Sequence, residues 1–245
     1  MCRIPMSIYF PGILTSLIAF SSSSISNNLS SRTDYLPYEL TVGLTHYWPI
    51  NNDITDYVTG QNLVVNDSVN LDRDRYERSS SSLKLNGDFY GLPPDVYFAG
   101  DFTFTAWIYI DSFSDESSND RLIDCANGKL IDDVAISYNV NSHFPMVYFS
   151  INRTLTNTGV ASVQISDGSW THIAVTLAGT NTSVYLDGTM AGSWITSVVP
   201  RNVVRSSCYF GKSNFDYDYY SYARFDEIKI YNRVLSAIEI WNQCN

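Results

Sequence analysis

The chain has 245 residues, 44% hydrophobic and 14% aromatic, enough apolar surface for one large all-β domain or two small domains and too much for a disordered chain. Charged residues make up only 16% and the formal net charge is −10. With no cluster of Lys or Arg, there is no electrostatic basis for binding DNA or RNA, or for seeking an anionic membrane surface.

Arg3, the apolar stretch from Ile8 to Phe20 and the small residues Ser21 to Ser24 read as a secretory signal over residues 1–26. The stretch is short for a membrane span; an uncleaved anchor is the alternative. No second run of spanning length follows, so no membrane association is expected after cleavage. Residues 27–40 are rich in Ser and Asn and read as a tail, leaving 41–245 as one domain. Four N-x-Ser/Thr sequons, at Asn28, Asn66, Asn152 and Asn181, fit an exported glycoprotein. Cys2 leaves with the signal, so Cys125, Cys208 and Cys244 remain, which gives one bridge and one odd thiol. A Cys208–Cys244 bridge would tie down the end of the chain and is the expected pairing.

From Gly43 onward, short alternating runs are separated by turn residues. Leu44 to Trp48 alternates. Phe102 to Ile110 is the clearest strand, rich in aromatic and β-branched residues, and Trp107 and Trp170 are expected on inward faces. Further runs follow at 132–140, 146–151 and 170–177. Asp187-Gly188 joins two strand-like runs as a tight hairpin, because a type I′ turn needs two positive φ angles. The last strands fall at 207–211 and 223–231. Ser236-Ala237-Ile238-Glu239 is a capping box opening one short helix, with Ile238 and Trp241 sharing a face. The expectation is an all-β fold: an antiparallel two-sheet β-sandwich, a jelly roll, with one short C-terminal helix.

Several of these runs, taken in order, resemble the laminin G-like, concanavalin A-like jelly-roll family in its pentraxin-type branch. They are Leu44-Thr45-His46-Tyr47-Trp48-Pro49-Ile50, Leu83 to Gly87, Phe102 to Ile110, Gly168 to Ala174, Val184 to Gly188, and Phe225 to Ser236 with Glu239-Ile240. The resemblance covers about 42–243 and implies the fold, but not a ligand. It also implies a calcium site in many relatives, for which Asp53, Asp56 and Asp226 are the candidates here, oxygen being the ligand calcium prefers.

Chemistry is sparse. Asp226 and Glu227 are adjacent and should point to opposite faces of a strand, so they make no glycosidase pair. The His residues lack zinc spacing, and no nucleophile elbow or phosphate loop is present. The segment from Phe215 to Tyr222 is different. It gathers Tyr217, Asp218, Tyr219, Tyr220 and Tyr222 between two strands, where rings can stack on sugars or anchor a protein and carboxylates can accept from hydroxyls. The expected function is non-catalytic recognition of a glycan or an extracellular protein, with calcium as the one candidate cofactor. The rivals are a self-associating adhesive protein, linked through an unpaired Cys125, and a divergent jelly-roll glycosidase.

Overall fold

The computed structural model describes residues 36–65, 67–112, 119–151, 154–215 and 220–244. In chain order the elements are α1 (Tyr38–Thr41), β1 (Leu44–Trp48), β2 (Val64–Val65), β3 (Leu71–Asp72), β4 (Ser82–Asn86), β5 (Tyr90–Leu92), β6 (Phe102–Ser112) and β7 (Asn119–Ala126). They continue with β8 (Asp133–Asn139), β9 (Pro145–Ile151), β10 (Thr154–Val160), β11 (Trp170–Ala178), β12 (Asn181–Leu186), β13 (Thr189–Ile195), β14 (Ser207–Phe210), β15 (Tyr222–Tyr231) and α2 (Ala237–Asn242).

Among the described residues these strands form two antiparallel sheets. The eight-stranded sheet runs β13-β12-β11-β6-β15-β4-β3, with β1 also paired to β15. The seven-stranded sheet runs β10-β9-β8-β7-β14-β5-β2. The expected all-β sandwich with a C-terminal helix is what the structure shows. Strong alternation made β6 and β11 legible. β7 and β10 were not anticipated: β7 buries Asp120, Arg121 and Asp124 among its apolar residues, which hides its period. α1 was also missed. It lies at the end of the expected tail and is tied to the domain by Arg233, which donates to the carbonyls of Glu39 (2.8 Å) and Val42 (2.7 Å).

The core lies between the sheets. Phe102, Phe104, Ala106, Ile108 and Ile110 of β6, with Ile173, Val175 and Leu177 of β11, meet Val134, Ile136, Val147, Phe149 and Phe210 of the other sheet. Each fully buried side chain of this size contributes about 1.5–3 kcal/mol relative to exposure. The period-two pattern therefore places Trp107 on the opposite, outer face of the eight-stranded sheet, against the inward placement expected of it. Trp170 pairs with Tyr109 on that same outer face, their rings 5.6 Å apart.

α2 covers part of this outer face. Its capping box forms as expected, but the helix buries Ile240 against Ala174, Tyr185 and Tyr231, while Ile238 is 73% exposed. The hairpin between β12 and β13 turns at Asp187 (φ 48°) and Gly188 (φ 76°), the two positive φ angles required. A Cβ at Gly188 would lie 2.7 Å from the Trp241 ring, so glycine is needed for contact as well as conformation.

The bridge joins Cys125 and Cys208, correcting the expected Cys208–Cys244 pairing. The cause is register: Cys208 of β14 stands opposite Cys125 of β7, so the two side chains meet across neighbouring strands. Cys244 is buried at the end of α2, and its Sγ donates to the Ile240 carbonyl at 3.5 Å. Cys125 is thus not available for the covalent self-association considered above.

Candidate functional site

The outer face of the seven-stranded sheet carries a row of registered positions, Val64, Gly91, Tyr209, Asp124, Ala135 and Tyr148. The segment after β14 folds over half of it. Phe215 packs on Ala135, Tyr148 and Leu130. Asp124, fully buried, clamps this segment by accepting from Asn214 N (3.2 Å), Asn214 Nδ2 (2.5 Å) and Ser213 Oγ (3.4 Å), and also from Arg121 Nε (3.1 Å) and Tyr148 OH (3.2 Å). The far end is pinned by Ser221, which donates to the carbonyls of Arg121 (2.8 Å) and Gly211 (3.0 Å). Next to Asp124 lies the buried Asp133, whose pKa is pushed up to about 9 by burial and by Asp124. Asp133 thus keeps its proton at neutral pH and donates it toward Asp124.

On the other half of the face, the described side chains of Phe89, Tyr209 and Lys212 are half-buried. Phe89, Tyr209 and Tyr220 form a ledge: Phe89 stands edge-on to Tyr209 at 5.4 Å and stacks with Tyr220 at 5.8 Å. Lys212 Nζ rests 4.4 Å from the Phe89 ring centre and 4.7 Å from that of Tyr209. Tyr220 is 41% exposed. Of the loop residues singled out from sequence, Tyr217, Asp218 and Tyr219 lie outside the described residues. Tyr220 joins the ledge. Tyr222 does not: it begins β15 in the other sheet, its hydroxyl against Gly87. Phe89, Tyr209 and Lys212 were missed in the sequence because they come from two separate segments that only the pairing of β14 with β5 brings together.

A second polar cluster sits on the outer face of the eight-stranded sheet. Here Asp226 and Glu227 share a face, against the expectation of opposite ones. Opposite Ala106, β15 inserts an extra residue: Asp226 pairs with Trp107 and Lys229 with Thr105. This bulge places Glu227 at φ 53° and turns both carboxylates outward. Asp226 is fully buried, paired with Arg75 Nη1 at 2.5 Å, while Arg75 lies over the Trp107 ring at 4.8 Å. Burial and then Glu227 push the Asp226 pKa up to about 7. Burial also works on Glu227, yet Lys229 (2.7 Å) and the Tyr47 hydroxyl (2.8 Å) hold it below the usual carboxylate range. His172, beside Trp107, is held neutral: burial, Lys229 and Arg75 lower its pKa to about 3.

The three aspartates considered for calcium do not fit a calcium site. Asp56 accepts from His46 Nδ1 (2.8 Å), Tyr47 N (2.9 Å), Val58 N (2.9 Å) and Thr59 Oγ1 (2.7 Å), which occupies both oxygens. Asp53 caps its own turn by accepting from Thr55 N at 3.0 Å. Asp226 belongs to Arg75 on another face. Among the described residues, no three His, Cys, Asp or Glu side chains are grouped to hold a metal. Asp56 and His46 instead border a shallow surface depression with Trp48 and Tyr97, with no enclosed volume for a ligand. Of the sequons, Asn66 and Asn152 lie outside the described residues. Asn181 is exposed at the start of β12, directly opposite Ile195 of β13, itself 69% exposed. Among the described residues, no helix is long and apolar enough to cross a membrane.

Two antiparallel sheets packed on a shared, aromatic-rich core define a jelly-roll β-sandwich. Residues 85–241 match the Laminin_G_3 family model, described as the concanavalin A-like lectin/glucanases superfamily, and the chain belongs to that superfamily. No curated protein matches it by sequence. Among similar solved structures is the binding domain of Paraclostridial Mosquitocidal Protein 1 (19% identity, TM-score 0.60, 83% of this chain and 52% of that one). Another is domain 4 of AbnA, a GH43 extracellular arabinanase from Geobacillus stearothermophilus, in complex with arabinotriose (16%, 0.62, 82% and 98%). A third is a Trypanosoma rangeli sialidase (21%, 0.58, 81% and 32%). The chain thus spans about half of the first and a third of the last, and at these identities the likeness is one of fold.

Proposed function

We propose that this protein is an extracellular, non-catalytic glycan-recognition module that binds through the ledge of Phe89, Tyr209 and Tyr220. The observation that carries the reading is this half-exposed aromatic set beside a sheet face otherwise closed by Phe215. Rings in such a setting stack on the apolar faces of sugars, and their few rotatable bonds keep the entropy loss small. The similarity to a binding domain and to an arabinotriose-bound domain supports the same reading. The Cys125–Cys208 bridge supports an oxidising compartment.

Catalysis is the weaker reading. Asp124, Asp133 and Asp226 are buried and Glu227 is engaged by Lys229 and Tyr47, whereas a glycosidase needs both groups to flank a substrate. The test is a glycan array probed with the full chain. The expected result is a defined set of hits that the Tyr220→Ala and Tyr209→Ala variants lose while their thermal midpoints stay near that of the parent. Hits untouched by both substitutions would place recognition elsewhere.

A further inference from the structure

We propose that the ledge selects an acidic glycan, with Lys212 holding the carboxylate of a sialic or uronic acid beside the ring of Tyr220. This deepens the glycan reading above and rests on it.

Arg73, Arg75, Arg78, Lys84, Arg121, Arg201, Arg224, Lys229 and Arg233 are all in ion pairs. Arg205, fully buried, donates to the carbonyls of Asp132 (2.6 Å) and Phe98 (2.7 Å). Lys212 differs. It is half-buried, and its ammonium rests on the rings of Phe89 and Tyr209 without an ion pair or hydrogen bond among the described residues. Ring faces attract a cation only modestly and accept none of its three strong N–H donors. In a chain of net charge −10, where carboxylates are plentiful, an ammonium that none of the described carboxylates engages, at the rim of an aromatic surface, is placed to meet an incoming anion.

The chemistry of that anion follows from the same count. A single lysine offers one positive charge, with no second cation resting on these rings among the described residues, so it matches a single carboxylate. Polyanions such as sulfated chains or nucleic acid would feel the repulsion of the whole molecule without a cluster to hold them. A sugar acid brings one carboxylate on a ring whose remaining face can lie against Tyr220, so charge and stacking are met by one ligand.

The experiment uses the full chain on an array of sialylated and uronate-terminated glycans beside their desialylated and carboxyl-reduced counterparts. Affinities of the best matched pair are then measured by calorimetry. The two acidic series separate the two sources of the carboxylate. The expected result is a preference of about tenfold or more for the acidic member, in keeping with a charge-assisted hydrogen bond, that shrinks with added salt. Lys212→Met keeps the apolar stem over the rings and should erase the preference while leaving neutral affinity in place. Lys212→Arg should retain it. Equal binding of acidic and neutral partners, or a preference that survives Lys212→Met, overturns this inference alone. A blank array overturns the glycan reading as well.

Discussion

Asp226 and Glu227 are consecutive in the chain and face the same side of the same sheet, because the bulge in β15 adds one residue opposite Ala106. The two carboxylates therefore share a neighbourhood in which one is held by Arg75 and the other by Lys229 and Tyr47. Arg75→Ala would leave Asp226 buried without its partner, and removing one side of a buried pair costs about 3–5 kcal/mol. In urea unfolding the loss should be smaller at pH 5 than at pH 8, since Asp226 with a pKa of about 7 takes up a proton at the lower pH. Adding Asp226→Asn should recover most of it. Equal losses at both pH values would contradict this account.

Asp133 predicts a slope of stability with pH. Its folded pKa of about 9 lies above the ordinary value of 3.8, so the folded state binds the extra proton. Its contribution is complete below about pH 4, falls as pH rises, and is lost by about pH 9. Asp133→Asn keeps a donor toward Asp124 and should stabilise the protein at pH 8 by about 1–3 kcal/mol, in the range of a buried hydrogen-bonding group. The gain should vanish below pH 4, as followed by thermal melts across the range.

The disulfide closes a sequence separation of 83 residues. Loop-closure arguments give such a bridge about 2–5 kcal/mol. Non-reducing peptide mapping should recover Cys125 linked to Cys208, and Cys208→Ala should lower the denaturant midpoint accordingly. Recovery of a peptide joining Cys208 to Cys244 would contradict the register of β7 and β14.

Gly159 of β10 lies directly beneath the Trp194 indole, in space that a Cβ would occupy. Gly159→Ala must move Trp194 off the edge of the core, and such overpacking costs about 1–3 kcal/mol. Intrinsic fluorescence should report the displaced tryptophan together with the lower stability. An unchanged spectrum and midpoint would show that the contact is not used.

Asp56 already accepts four hydrogen bonds. Chelator and added calcium should therefore leave the thermal midpoint of the parent where it is. Asp56→Ala should lower the unfolding free energy by about 2–5 kcal/mol, and the thermal midpoint with it, since His46 and two backbone N–H groups lose their acceptor.

The sandwich was legible because strands such as β6 and β11 keep a period of two and the turns carry the right residues: Phe102 to Ile110 and Asp187-Gly188 specify their structure locally. The faces of Trp107 and of the Asp226-Glu227 pair were not legible. Aromatic size does not say which side of a sheet is covered, and a bulge changes parity without a mark in composition. Tyr220 could be found from the sequence, whereas its partners Phe89 and Tyr209 could not, because strand pairing over long separations brings them together. The cysteine partner failed for the same reason.

β1 and β15 pair antiparallel, with Leu44 opposite Tyr231, so the first strand and the last begin and end at the same edge of the molecule. Tension applied to the two ends of this fold would peel β1 from β15 one hydrogen bond at a time rather than shear the whole ladder together. The disulfide lies within the other sheet, between β7 and β14, and does not cross that seam. As a tether under load the protein would give way early at its first strand, a poor trait in a mechanical link.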